Sequence, residues 1–575
     1  MPSIIQKTIK GRRYYYLVES ARVDGKPRIV KQQYLGTAEA IGASVDAKEK
    51  TLPEPLFSVI FDFGAVAALF CVIERIGLRR IIDTYTEKRL QGLSVSSTII
   101  LAAINRAVMP KSKNSFYDWF RNTILPNVYP RASRPSLSSQ GFWNNMSQLD
   151  EKMIRAIEND LTRAVVREYG ISTDCLLFDN TNFFTYIDTA TPASLAQRGH
   201  SKQKRSDLKI VGLSLMVSPD HSVPLFHEVY PGNTNDAKQF SRVVERLKDR
   251  YASLGVGECR LTLVFDKGNN SEENIESILG DVKRGFDFIG GLRYNQCPEF
   301  NDIDSTKLAP LEEKRLDGVS AYRTTINAYG SDLTAILTFN LELYNAQLDA
   351  VTSNIEKSAT KLAVIESKLK ARRDGIVTKG RFPTLESVKK KVEDSLSTEH
   401  MKSLFDWSIT ELEGGFLRLN YSFNEARFHE LKEKRLGRSI LFTSRSDWST
   451  EKIVLAYRSQ YHVEEAFKQM KNNKYLSFRP VHHFTDGKIR VHAFYCVLAL
   501  LIVSLLHREL WEMGYKISVE RMLDGFQLAK QIVTYFPSIG KKKRCVSSFS
   551  DIDGFAKEYI DKYNLKQFAY NIGLH

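Results

Sequence analysis

Two aspartates each close a short apolar, β-prone run: CLLFD ends at Asp179 and LTLVFD at Asp266. A carboxylate there stands on the rim of a buried sheet, fixed by rigid backbone and open to solvent. Asp also ends many strands simply because it favours turns, so either residue alone says little and the pair says more. If the pair binds metal ions for phosphoryl transfer, a further acid is required, because a two-ion site needs bridging and terminal oxygen ligands. Residues 451–471, EKIVLAYRSQYHVEEAFKQMK, are strong helix formers without Gly or Pro. Helical periodicity places Tyr457, Tyr461, Glu464, Lys468 and Lys471 on one stripe. Glu464 is then the third ligand, with Lys468 and Lys471 placed to meet phosphate oxygens. An exposed helix with Glu and Lys four apart for solubility has the same pattern. Glu465 projects about 100° away and is the weaker ligand.

The elements that must position these groups follow from periodicity. After the strand at Asp179 comes a basic stretch, QRGHSKQKRSD, which offers Arg198, Lys202, Lys204 and Arg205 as DNA contacts. KIVGLSLMVS and VPLFHEVYPGN form a hairpin around Pro219 to Ser222. A helix spans 237–251, where Phe240, Val243, Val244, Leu247 and Tyr251 repeat at helical spacing. The strand ending at Asp266, a helix over 272–282 and the strand FDFIGGL complete the order β, β-hairpin, α, β, α, β. Upstream, residues 58–170 read as an all-helical unit, the candidate for DNA binding. Residues 1–50 read as a basic β-hairpin around Asp24-Gly25, either a DNA contact or a small oligomerising ribbon.

At ~150 residues per domain, 575 residues suggest three or four packed units. With 43% apolar residues, disorder is excluded as the main state. The excess of 82 Lys and Arg over 67 Asp and Glu, a formal +15, favours a polyanionic partner; charge alone does not separate nucleic acid from lipid. The longest apolar run, Ala493 to Leu506, falls short of the ~20 residues needed to span hydrocarbon and reads as a buried helix. Six scattered cysteines without a CxxC pair point to a reducing compartment. With neither a secretory signal nor a lipidation motif evident, the expected location is the cytoplasm. GxxxxGK[ST], GxSxG, His-x-x-Arg and zinc-site spacings are all absent from the sequence.

Tyr457, Glu464 and Lys471 match in register the signature Y-x2-R-x3-E-x6-K, with Gln460 in the Arg position. FDNTNFFTY around Asp179, FDKGNNS around Asp266 and LSFRPVHHFTDGKIRVHAFYCVLAL after Glu464 complete the pattern. In these blocks the sequence resembles bacterial and archaeal insertion-sequence transposases of the DDE class, in the branch with the Tyr-Arg-Glu-Lys helix signature. The similarity extends over nearly the whole chain. The resemblance implies an α/β ribonuclease H-like catalytic core that performs metal-dependent cleavage and transfer of DNA strands. Asp179, Asp266 and Glu464 would hold two Mg²⁺ ions, with Mn²⁺ as a substitute, and Tyr457, Lys468 and Lys471 would position the DNA backbone. Gly268 would let the chain turn sharply beside Asp266. The implied partners are double-stranded DNA, both terminal inverted repeats and target, and a second copy in a synaptic homodimer. No membrane partner is implied, and the setting would be a prokaryotic cytoplasm, at the nucleoid.

Asp179 and Asp266 are 87 residues apart and Asp266 and Glu464 are 198, so a long mixed α+β insertion must lie within the second interval. The expected division is a hairpin unit at 1–50, a helical domain at 58–170, the core at 171–293, an insertion at 294–438, the rest of the core at 439–510 and a C-terminal helical region at 511–575. Two other functions stay open: a ribonuclease H-like nuclease that cuts without joining, and a catalytically inactive DNA-binding relic.

Overall fold

The computed structural model describes residues 2–23, 26–49, 54–87, 92–188, 193–199, 207–254, 261–280, 286–539 and 542–570. Strands β1 (Pro2–Ile9), β2 (Arg12–Val23) and β3 (Lys26–Gly36) make an antiparallel meander, one strand more than the expected hairpin. Lys10 and Gly11, with φ of 48° and 77°, form the two-residue turn that adds β1. The Asp24-Gly25 turn lies outside the described residues. A helix, Ala38–Glu49, follows.

The stretch expected to be all-helical begins instead with a strand, β4 (Phe57–Asp62), which pairs with the far end of the chain. Helices Gly64–Arg75, Leu78–Tyr85, Val95–Val108 and Glu151–Tyr169 are its main elements thereafter. Local chemistry sets their ends. Ser94 and Asp150 accept hydrogen bonds from the Ser97 and Met153 N–H groups at 3.1 and 2.8 Å, capping two of the helices. Gly170, in the left-handed region, ends the last one.

The centre of the molecule is a nine-stranded mixed sheet. Its strands are β5 (Cys175–Phe184), β6 (Ile210–Val217), β7 (Pro224–Pro231), β8 (Leu261–Val264), β9 (Phe286–Leu292), β10 (Ala309–Pro310), β11 (Val319–Ala328), β12 (Ser331–Asn340) and a ninth strand reached after a long excursion. That excursion holds the helices Leu341–Arg373 and Leu385–Ser395, the hairpin of β13 (Phe405–Leu412) and β14 (Phe416–Phe423), and the helix Glu425–Lys434. The chain then re-enters the sheet as β15 (Arg438–Thr443). The spatial order is β10-β11-β12-β15-β9-β8-β5-β6-β7, with β5, β8 and β9 mutually parallel and the other pairings antiparallel.

The expected insertion therefore divides in two. Residues 309–340 extend the central sheet, because β12 pairs directly with β15. Only 341–437 stands apart. Its two ends meet, with the Asn340 N–H donating to the Gly437 carbonyl at 2.8 Å.

Helix Asp486–Glu512 is apolar nearly all round and runs through the interior, with its most apolar 18-residue window 94% buried. By length and composition alone it would suffice to cross a membrane. After it, the expected helical C-terminal region contains a second hairpin, β16 (Lys530–Ile539) and β17 (Lys542–Phe549), and β4 completes that sheet. One continuous apolar core reaches from Phe61 to Leu565, so the upstream helices, the sheet and the C-terminal elements share an interior. A smaller core, including Val351, Leu362, Val392, Leu419 and Leu431, belongs to the excursion.

Candidate active site

Asp179 is not the last residue of its strand. β6 continues to pair with β5 as far as Phe184, so β5 runs five residues further than the sequence suggested. The rim is made on the other side. β8 pairs with β5 only through Cys175↔Thr262, Leu176↔Leu263 and Leu177↔Val264, and then stops. Two residues further along each strand stand Asp179 and Asp266. The Phe265 N–H donates to the Ile289 carbonyl of β9 at 3.1 Å, and Asp266 itself is extended, so the chain keeps its course along β9 as far as the acid. Registered residues of neighbouring parallel strands point to the same face, and the strands lie about 4.8 Å apart. The β5–β8 pairing itself ends two residues short of both acids; continued at the same register, it would bring them level on one face. Asp179 is half-buried, with the Asn180 N–H donating to its Oδ1 at 2.7 Å, whereas Asp266 is exposed.

The expected single helix over 451–471 is broken. Thr450–Arg458 and Tyr461–Lys471 are separate helices. Between them the Gln460, His462 and Val463 N–H groups donate three residues back, to Tyr457, Ser459 and Gln460, in place of the usual four. This tighter turn breaks the common stripe: Tyr461 is 59% exposed, whereas Tyr457 is turned inward. Tyr457 lies over Gly291 of β9, where an added Cβ would stand 2.5 Å from its hydroxyl oxygen and 2.9 Å from Lys267 Cγ. Burial holds the Tyr457 pKa well above the usual tyrosine value, and the Asp266 and Glu464 carboxylates push it further. The hydroxyl is therefore close enough to both acids to feel their charge.

Glu464 itself is exposed, on a helix packed against β5 and β6. From the last turn of that helix, Lys471 Nζ donates to Thr181 Oγ1 at 2.7 Å, which ties the helix to β5 two residues beyond Asp179. A charged hydrogen bond of this kind contributes about 1.5–3 kcal/mol. Lys468 is exposed and pairs with Glu465 at 3.2 Å, away from the acids on the sheet. Gln460, in the signature's Arg position, is buried. Arg198 is exposed beside Gln197, which exchanges backbone hydrogen bonds with Ile210. Ile210 pairs with Phe184, so Arg198 lies about 17 Å along β5 from Asp179, at ~3.4 Å per residue. Lys202, Lys204 and Arg205 lie outside the described residues.

Gly268 does not play the expected part. It sits in the short 3-10 turn Lys267–Asn269 without a positive φ, and a Cβ there would meet open space. The glycines that matter are Gly290 and Gly291 of β9, which admit Phe442 on one side and Tyr457 with Lys267 on the other. A glycine pair inside FIGGL is the sequence signal for such close packing. Thr181, the partner of Lys471, carried no such signal.

The donor chemistry, three carboxylates without thiolate or imidazole, suits a hard divalent cation. Among the described residues no three His, Cys, Asp or Glu side chains are grouped closely enough to hold one. Two open hollows of about 740 and 830 Å³ lie where the excursion meets the sheet, and neither is lined by any of the three acids.

A family model described as a transposase DDE domain matches residues 176–502, more than half of the chain and all three acids. No curated protein matches the sequence. Among solved structures, the chain is similar to a piggyBac transposase in a synaptic complex with hairpin DNA, determined by cryo-EM. The identity is 10% and the TM-score 0.34, over 80% of this chain and 79% of that one.

Proposed function

The chain belongs to the transposase DDE domain family, and from that premise we propose that it cleaves and transfers DNA strands at the ends of an insertion sequence, with divalent metal ions as cofactors. The observation that supports this reading is the parallel pairing of β5 with β8, whose register, continued for two residues, would bring Asp179 level with Asp266. The order β7-β6-β5-β8-β9, with the first three antiparallel and the last three parallel, supports a ribonuclease H-like core.

Asp179, Asp266 and Glu464 would hold the ions, Mg²⁺ by preference and Mn²⁺ in its place. When bound, they supply activation of water and then of a 3′-hydroxyl, and charge stabilisation at the leaving oxygen. The chain's own groups orient the strand. Lys471, anchored on Thr181 two residues beyond Asp179, presents positive charge there, and Tyr457 packs over Gly291 of β9 beside Lys267. Lys468 would reach the DNA backbone by giving up its surface pair with Glu465, at small cost because the pair is exposed. Terminal inverted repeats and target DNA would be bound by a homodimer at the nucleoid of a prokaryotic cell.

The deciding experiment is end cleavage on a labelled terminal fragment with Mg²⁺. Asp266→Ala should bring cleavage to background while duplex binding stays as in the parent protein; retained cleavage refutes the assignment. Precut ends offered with a target plasmid separate a transposase, which joins them, from a nuclease, which does not.

A further inference from the structure

Strands β1 to β3 have almost no interior. Val18 is the only one of their described side chains that is buried. The helix Ala38–Glu49 packs against β2 and β3, and the rest of this small sheet is wetted, with little of the apolar burial that holds such sheets together. Residues 2–36 carry eight Lys or Arg against two acids.

The pairing register sorts the charges onto faces. Ile4 faces Leu17 and Gln33, Gln6 faces Tyr15, Arg13 faces Thr8, and Lys31 faces Glu19. Because Val30 is an extra residue in β3, Arg28 comes opposite Ala21 and joins the same side, which is the side away from Val18. Lys26, opposite Val23, lies there too, so that face presents four cations and two amides around Ile4, which is 62% exposed; among the described residues Glu19 is its one acid. A second copy would bring like charge against like, whereas a nucleic-acid duplex complements it.

We infer that this face of the N-terminal sheet docks double-stranded DNA. Arg13, Arg28 and Lys31 meet phosphates, and Gln6 and Gln33 reach base edges from a β-surface laid in the major groove. The inference rests on the proposed transposition reading only for naming DNA as the substrate. It adds where, away from the acids, the duplex is held.

The test uses the full chain and a short fluorescein-labelled duplex, with affinity measured by anisotropy across a salt series. The triple variant Arg13→Ala, Arg28→Ala, Lys31→Ala should bind roughly tenfold or more weakly, and its salt slope should fall by about three, close to one per lost phosphate contact. Exchanging the same cations, as Arg13→Lys, Arg28→Lys and Lys31→Arg, should keep the parent slope, and Gln33→Glu should weaken binding by repulsion without truncating a side chain. Unchanged affinity and slope in the triple variant, or a change in sedimentation with DNA binding intact, overturns the inference. The two readings fail separately: a parent protein that cleaves ends while the triple variant binds normally refutes only this one. A parent protein that never cleaves, with DNA affinity lost in the triple variant, refutes only the catalytic one.

Discussion

The catalytic body and the excursion at 341–437 differ in how they are held. In the body one core continues from Phe61 to Leu565, so elements separated by hundreds of residues share an interior. The excursion has a core of its own, built on Val351, Leu362, Leu369 and a few partners. Its chain enters and leaves the sheet through two adjacent antiparallel strands, at Phe339↔Arg438, and Arg435 stacks over Tyr294 at 4.1 Å where the two parts meet. The difference teaches that the acids draw their rigidity from the body alone. Asp179 and Asp266 are fixed by β5 and β8, and Glu464 by a helix packed on β5 and β6, without help from the excursion.

The largest expected effect follows from removing the difference altogether. Because Asn340 and Gly437 are hydrogen-bonded neighbours, residues 341–436 should be replaceable by a two-residue Asn-Gly turn joining β12 to β15. Calorimetry on the parent protein should resolve two unfolding transitions, and on the shortened one only the larger. Loss of all cooperative unfolding in the shortened chain would show that the two parts fold as one.

A finer probe places the same cut in each core. Leu362→Ala and Leu500→Ala both truncate fully buried leucines and should each cost about 2–5 kcal/mol. The first should move only the smaller transition and the second only the larger, read from denaturant midpoints. Any shift of both by one substitution contradicts the separation.

A further effect is a pH dependence confined to the body. Burial, with the Arg106 guanidinium adding to it, lowers the Lys113 pKa from 10.5 to about 7. Between those values the unfolded chain binds more protons than the folded one, so the body's stability should rise with pH from about 7 to about 10.5. Lys113→Met should flatten that rise, and the midpoint of the smaller transition should be indifferent to it throughout.

Periodicity made the strands around both aspartates legible, and the spacing of the acids made the insertion so. What it missed are cases where a partner distant in sequence decides. Nothing local in FSVIFD says that β4 will pair with residues 530–535, and the C-terminal hairpin was hidden for the same reason. The break at Ser459 and Gln460 was invisible because both residues keep helical dihedrals, and only the hydrogen bonds tighten. Asp266 was legible as the residue just past its strand; that β5 runs on beyond Asp179 to Phe184, and that β5 and β8 are neighbours, depended on partners distant in sequence. Gly268 was over-read, since a glycine in open space needs no special conformation.

The short parallel pairing of β5 with β8 governs which lengths of chain this protein can lose or gain. Residues may be added or deleted between the strands, along 185–260, with the acids still level. A single-residue deletion inside LTLV slides Asp266 by one step, which in a pleated strand sends its side chain through to the opposite side of the sheet. Length variation is thus tolerated over the loops and helices of that stretch and forbidden over four residues of β8.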